Sequence, residues 1–91
     1  MKTKIFITVD TEFSISGAFK DPFLNYPVGL PAVMCEKNGT SHGLGFILDT
    51  LNKFDLRGTF FVEALNVNYF GDELMGKIAQ TIVSRNQDVQ L

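Results

Sequence analysis

The stretch over residues 5–12, Ile-Phe-Ile-Thr-Val-Asp-Thr-Glu, constrains the fold of this chain more than any other. It is a short apolar run, rich in β-branched residues, that ends in two carboxylates, Asp10 and Glu12. A run of this kind is typical of a buried strand in a parallel sheet. Because side chains alternate along a strand, we expect the two acids on one face, about 7 Å apart. Such a pair suits a metal ion, or a base beside a metal ligand, although acids that follow a strand also serve as turn residues.

Helical and strand patterns alternate along the rest of the chain. Thr40 or Ser41 suits the N-cap of a first helix, Asp72 suits the N-cap of a second, and Asn86 suits a helix C-terminus. This alternation predicts an α/β fold, a β-α-β-α-β unit with parallel strands and right-handed crossovers. The elements predicted after the first strand are a helix with its apolar face over residues 44–54, a strand over 59–62, a loop over 63–71, a helix over 72–85 and a strand over 88–91.

Residues 13–41 contain all three prolines of the chain and show no lasting helical or strand period. A loop this long in a small domain is usually functional or disordered, and its aromatic residues argue against disorder. We therefore predict an ordered loop on the active-site side, forming a lid over the C-terminal ends of the strands. The alternative is a solvated excursion that packs on its own apolar residues.

The composition limits what the chain can bind. Its 91 residues suffice for one small domain, and a formal net charge of -2 without a basic cluster argues against a nucleic-acid surface. The single cysteine, Cys35, excludes an internal disulfide and a cysteine-based metal site, and it fits a reducing compartment. No apolar segment is long enough for a membrane span or for the core of a signal peptide. We therefore expect a cytoplasmic protein without a membrane span.

Two further polar residues are candidates for the same site. His42 lies at the predicted start of the first helix, and Glu63 directly follows the second strand. Strand ends and the starts of the following helices share one side of a parallel sheet, so both residues are expected within reach of Asp10 and Glu12. Each also has a simpler interpretation, because a lone histidine usually caps or packs and a glutamate after a strand commonly anchors a loop.

Three segments of the chain together resemble one enzyme family. Residues 7–12 read Ile-Thr-Val-Asp-Thr-Glu, residues 47–62 read ILDTLNKFDLRGTFFV, and residues 86–91 read Asn-Gln-Asp-Val-Gln-Leu. In this order they resemble the first motif, the first helix with the second strand, and the approach to the second motif of the polysaccharide deacetylase (NodB-homology) superfamily of carbohydrate esterases. The resemblance implies a distorted (β/α)7 barrel, with residues 1–91 as the N-terminal part of a single catalytic domain. It also implies a hydrolase that removes acetyl groups from N-acetylated or O-acetylated sugars or polysaccharide precursors.

The same resemblance implies roles for single residues. Asp10 matches the catalytic base, and Glu12 matches the metal-binding acid, for which the family more often has aspartate. The implied cofactor is a divalent metal, zinc, whose other ligands are two histidines of a His-Ser/Thr-x-x-His motif. His42 does not fit that motif, and the pair would follow Leu91. We therefore expect the chain to be the front of a longer protein and to be inactive alone.

Two alternatives stay open. A strand that ends in two acids one residue apart also resembles the haloacid-dehalogenase-like phosphatases, in which Asp10 would be the nucleophile, although that family has aspartate where this chain has Glu12. The other alternative is an inactive fragment or binding module of deacetylase fold, whose open sheet edges pair in a homo-oligomer. A dinucleotide-binding fold is set aside, because it needs a glycine-rich turn after the first strand, where this chain has Asp-Thr-Glu-Phe.

Overall fold

Strands and helices alternate along the chain, as seen in a computed structural model that describes residues 2–13, 20–21, 23–25 and 28–90. The remaining residues include part of the predicted 13–41 loop and the last residue of the predicted third strand, which therefore lie outside the described part. The elements in chain order are β1 (Ile7–Thr11), α1 (Leu30–Met34), β2 (Glu36–Lys37), β3 (Thr40–Ser41), α2 (Leu44–Lys53), β4 (Gly58–Val62), a 3-10 helix (Ala64–Asn66), α3 (Val67–Ser84) and β5 (Asp88–Gln90).

Three parallel strands form the central sheet in the order β1-β4-β5. Ile7 lies opposite Gly58 at one end of the first pair, and Thr11 lies opposite Val62 at the other. Thr59 of β4 lies opposite Asp88 of β5 in the second pair. The predicted α/β class, with consecutive parallel strands joined through helices, is therefore confirmed.

Both long helices pack on the same face of the sheet. Phe60 of β4 is fully buried in one apolar cluster with Leu48 of α2 and with Ile78 and Ile82 of α3. These helix residues recur at the spacing of one helical face, so the predicted apolar faces supply the buried residues of both helices. Phe54, the last residue of the first predicted face, is the exception: it lies after the end of α2 and is 61% exposed. The whole buried cluster consists of Phe13, Val33, Leu44, Leu48, Leu51, Phe60, Val62, Ile78 and Ile82.

The opposite face of the sheet is uncovered in the described part of the chain. Along β1 and its flanks, Phe6, Thr8, Asp10 and Glu12 are exposed, whereas the odd-numbered residues between them turn toward the helices. Phe61, which neighbours the buried Phe60 on β4, is 42% exposed. Parallel sheets are normally covered on both faces, so this bare face is the unusual feature of the fold. None of the described helices has the length and apolar character needed to cross a membrane.

The 13–41 segment contains regular structure that the sequence interpretation missed. α1 lies within it, and β2 and β3 form a small antiparallel hairpin in which Glu36 lies opposite Ser41. The hairpin turn consists of Asn38 and Gly39, both with positive φ (53° and 78°). An Asn-Gly pair with two positive φ angles is the preferred two-residue hairpin turn, so the signal was present in the sequence. The prediction of a loop without regular structure was therefore wrong for this part.

The start of α2 differs from the prediction by a few residues. The helix begins at Leu44 after Gly43, and not directly after Thr40 or Ser41. A Cβ at position 43 would overlap the carbonyl oxygen of Val33, so the close approach of α1 requires glycine there. The Ser41 hydroxyl still accepts a hydrogen bond from the Gly45 N–H at 3.1 Å, which satisfies one free donor of the first turn.

The predicted loop over residues 63–71 was also wrong, because a 3-10 turn and the first turn of α3 occupy it. The Asn66 side-chain amide donates to a Glu63 carboxylate oxygen at 2.8 Å, and this contact holds the tight turn after β4. α3 is interrupted at Gly71, whose φ of 79° is not helical, so the second predicted helix does begin near Asp72. At the far end, Asn86 has a φ of 63°, which agrees with its predicted role in ending the helix.

Candidate functional site

Asp10 and Glu12 lie together at the C-terminal end of β1, and both side chains are exposed on the bare face of the sheet. The cause is the alternation of side chains in a strand: Val9 and Thr11 face the helices, so their neighbours face away. Asp10 lies opposite Phe61 on the adjacent strand. The sequence prediction that the two acids share one face therefore holds in the structure.

The two acids line an open depression of about 330 Å³ at this end of the sheet. Glu63, at the end of β4, contributes a third carboxylate to its lining. The rest of the lining is apolar and comes from Phe61, Val62, Ala64 and Leu65. The depression thus combines negative charge with an apolar floor, which suits a neutral or cationic ligand that also carries C–H surface.

The 3-10 turn holds Glu63 in this position. Its carboxylate accepts a hydrogen bond from the amide of Asn66, a residue that is only 4% exposed. The backbone N–H of Asn66 also donates to the Glu63 carbonyl at 3.2 Å. Glu63 therefore anchors the turn, as the simpler sequence interpretation expected, while it lines the same depression as Asp10.

His42 does not line the depressions that contain Asp10 and Glu12. It is exposed between β3 and α2, and its backbone N–H donates to the carbonyl of Cys35 at 2.9 Å. The start of α2 is on the expected side of the sheet, but the intervening Gly43 and Leu44 are the residues that reach the end of β1. The expectation that His42 reaches the two acids gains no support from this geometry.

A second, smaller depression of about 130 Å³ lies on the helix side of the same strand end. Its lining includes Val9 and Thr11 of β1, Val33 of α1 and Leu44 of α2, and no residue of β4. Thr11 is only 6% exposed, and its hydroxyl has no hydrogen-bond partner in the part of the chain that the structure describes. No sequence pattern predicted this buried hydroxyl, because threonine is an ordinary strand residue.

The described residues do not complete a metal site. No group of three or more histidine, cysteine, aspartate or glutamate side chains in this part of the chain is placed to hold one ion. Asp10 and Glu12 have oxygen donors of a suitable type, but a zinc site needs at least three protein ligands. The carboxylates present therefore fit at most part of a coordination sphere.

Comparison of the chain with protein-family models, with curated proteins and with solved structures gave no match.

Proposed function

We propose that this chain forms the N-terminal part of a hydrolase that removes acetyl groups from N-acetylated or O-acetylated sugars. The observation that supports the proposal is the pair formed by Asp10 and Glu12 at the C-terminal end of a parallel strand, open to one face and beside an apolar floor. In β/α barrels the catalytic residues stand at this end of the strands. The resemblance of residues 7–12 and 47–62 to the polysaccharide deacetylases supplies the substrate class.

The proposed fold is an incomplete barrel. In a barrel, each helix lies outside the sheet and the inner face of the strands points to the barrel interior. The bare face of this sheet, with both long helices behind it, is compatible with that arrangement. The order β1-β4-β5 also occurs in one half of doubly wound sheets, so topology alone supports both architectures.

In the proposed reaction, Asp10 removes a proton from the water that attacks the acetyl carbonyl. Its carboxylate is exposed and has no cation paired with it in the described part of the chain, so it is free to accept a proton. Glu12 would supply one ligand to a divalent metal, zinc in the proposal, and the histidine ligands would come from outside these 91 residues. When bound, the metal would activate the water and stabilise the developing oxyanion. Phe61 and Leu65 present C–H and ring surface on which the apolar face of a sugar can rest.

The proposal is tested by a variant that loses the catalytic base and should keep the metal. In an acetyl-sugar hydrolase that contains this chain, Asp10→Asn should lower kcat by about 100-fold or more, because a general base contributes at least that much. Zinc content, measured on the same sample, should stay unchanged. The matched control is Asp72→Asn, the same change at an exposed residue of α3 that does not line the depression.

Two results would contradict the assignment. Full activity of the Asp10→Asn variant would exclude Asp10 as the base, and loss of zinc would mean that Asp10 is a ligand. The 91-residue chain alone should not release acetate from chitooligosaccharides with or without added zinc, because its own donors do not complete the site.

A phosphatase remains the second candidate, supported by the sheet order that doubly wound folds share. Here the Asp10 carboxylate would attack the phosphorus of a phosphate ester, the P–O bond to the substrate alcohol would break, and a phospho-aspartate would remain on the chain while the alcohol leaves. Trapping that intermediate at Asp10 with a phosphate mimic would favour the phosphatase over the deacetylase. If neither activity is found, the remaining proposal is a binding module that self-associates through its open sheet edges.

A further inference from the structure

The free edge of β1 carries a charge pattern that would match the same edge of a second copy of the chain. β1 pairs with β4 on one side, and no strand pairs with its other side in the described part of the chain. Residues 2–6, which precede β1, are all exposed, and β4 begins only opposite Ile7. An exposed edge of this kind is a template for pairing with another strand unless something blocks it.

The charges of the even-numbered residues in this stretch change from positive at one end to negative at the other. Within β1 (Ile7–Thr11) the even-numbered residues face the bare side of the sheet, and a strand that continued in both directions would extend this face to the even-numbered residues on either side. In chain order the face reads Lys2, Lys4, Phe6, Thr8, Asp10, Glu12. A strand with positive charge at one end and negative charge at the other matches a second copy that runs antiparallel to it.

We propose that β1 pairs antiparallel with β1 of a second copy of this chain, with Lys4 of one subunit opposite Asp10 of the other. In the same register Lys2 lies opposite the partner's Glu12, and Ile7 lies opposite its own copy on the two-fold axis. Directly opposite residues of antiparallel strands interact across about 5 Å, so each dimer gains four cross-strand ion pairs. The interaction is isologous and closes after two subunits.

The odd-numbered residues match in the same register. Ile5, which is 84% exposed, falls opposite the partner's Val9. Thr3 falls opposite the partner's Thr11, whose buried hydroxyl has no hydrogen-bond partner among the described residues of its own chain. Val9 and Thr11 both line the 130 Å³ depression, to which β4 contributes nothing. The incoming strand would therefore place an isoleucine and a threonine at a depression whose lining combines apolar residues such as Val9 and Val33 with the Thr11 hydroxyl and the two acids.

A shift of the register by two residues loses this match. With Lys2 opposite Asp10, Lys4 falls opposite Thr8 and loses its ion pair. With Lys4 opposite Glu12, Phe6 falls opposite Asp10, and an aromatic ring replaces a cation beside the acid. The pairing leaves the free edge of β5 available to further strands. In the dimer, Lys4 and Lys2 of the second copy lie beside Asp10 and Glu12, so the pairing competes with the base and metal-ligand roles proposed for these two acids.

Charge reversal tests the proposal. Sedimentation velocity of the 91-residue chain over a range of concentrations should show a monomer–dimer equilibrium. Lys4→Glu should raise the dimer dissociation constant by about tenfold or more, because two attractive pairs become repulsive. Asp10→Lys should have a similar effect, and the double variant Lys4→Glu/Asp10→Lys should restore dimerisation. Lys37→Glu makes the same charge change on the exposed hairpin and should leave the dimer unchanged.

A disulfide experiment tests the register. In a Cys35→Ser background, Phe6→Cys and Thr8→Cys chains should cross-link with each other when they are mixed, and each alone should cross-link poorly. Strong cross-linking of Phe6→Cys alone, or of Thr8→Cys alone, would indicate one of the shifted registers. A monomer at every concentration, or a double charge variant that stays as weak as the single ones, would overturn the proposal. All these experiments measure the association of the chains and not activity, so their outcome is read separately from the role proposed for Asp10 as the base of a hydrolase.

Discussion

Gln87 makes the polar connections that join three elements of the core. Its side chain is 2% exposed, and its carbonyl oxygen accepts the Gly58 N–H at 2.6 Å. Its amide nitrogen donates to the Asn52 side chain at 3.1 Å and to the Leu56 carbonyl at 3.2 Å. One amide group thus connects the end of α2 and the start of β4 to the residue before β5. It therefore stabilises the turn after α2, on which the parallel order of the sheet depends.

We expect Gln87→Ala to lower the free energy of unfolding by about 1–3 kcal/mol, because it leaves the buried Gly58 N–H without an acceptor. Urea denaturation of the two proteins measures the difference. Gln90→Ala is the matched control: it deletes the same side chain at an exposed position of β5 and should change stability by less than about 0.5 kcal/mol. An equal effect at both positions would mean that the Gln87 contacts contribute nothing.

At Thr11 we expect the opposite effect, because no described residue provides a hydrogen-bond partner for its buried hydroxyl. Thr11→Val keeps the shape of the side chain and removes the unsatisfied group, so the free energy of unfolding should rise by about 1 kcal/mol. The measurement requires a dilute sample, since the Thr3 hydroxyl of a second copy would otherwise supply the partner. Thr8→Val, the same change at an exposed site of β1, should have little effect. A less stable Thr11→Val monomer would show that the hydroxyl is hydrogen-bonded after all.

Among the elements, α3 is the one whose geometry depends on a single residue. Gly71 has a φ of 79° inside the helix and separates its first turn from the rest. Phe70, just before this break, stacks near Phe13 with ring centroids 5.1 Å apart. The first turn of α3 therefore packs toward the end of β1, and only glycine adopts the required backbone angle without strain.

We expect Gly71→Ala to destabilise the protein by about 1 kcal/mol or more, because alanine is strained at positive φ. Gly76→Ala provides an internal control in the same helix. No atom lies within 4 Å of a Cβ built at either glycine, so only the backbone angle distinguishes the two changes. Gly76→Ala should stabilise the helix by about 0.5–1 kcal/mol. In thermal unfolding, the midpoint temperature should fall for Gly71→Ala and rise for Gly76→Ala. A shift in the same direction for both variants would contradict the role assigned to the backbone angle of Gly71.

The elements that the sequence predicted well are those in which one periodic face decides the structure. Leu48, Ile78 and Ile82 recur at helical spacing, and all three are buried as expected. The first turn of α3 was missed because its asparagines and Gly71 favour turns locally. Tertiary contacts decide there: Asn66 donates to Glu63, and Phe70 packs against Phe13.

For the site, alternation along β1 was enough to place Asp10 and Glu12 on one face. The apolar floor was not predictable in the same way, because the second strand reads Thr-Phe-Phe-Val. Adjacent phenylalanines leave open which of them faces the core, and only the packing of both helices on one side decides that Phe60 is buried and Phe61 exposed. Leu65 reaches the depression because the 3-10 turn, which was not predicted, brings it there.

At the scale of the whole molecule, stability depends on a single apolar layer. The buried cluster lies between the sheet and the two long helices, while the other face of the sheet has no cover in the described part of the chain. Ion pairs add little to the stability of the fold, since the Arg57–Asp88 pair (2.8 Å) and the Arg85–Asp49 pair are at the surface. Domains of this size have a free energy of unfolding of about 5–14 kcal/mol, and one with a single covered face should lie at the low end.

A cavity in this layer should therefore have a large effect on the whole fold. Ile82 is fully buried, and Ile82→Ala should cost about 2–5 kcal/mol, a large part of the total stability. The next residue of α3, Val83, is 58% exposed, so Val83→Ala should cost well under 1 kcal/mol. Urea titrations followed by circular dichroism would measure both. A small loss for Ile82→Ala would mean that the layer relaxes around the cavity or that the bare face is covered by self-association. Repeating the titration at several protein concentrations distinguishes these two causes, because only the second makes the midpoint depend on concentration.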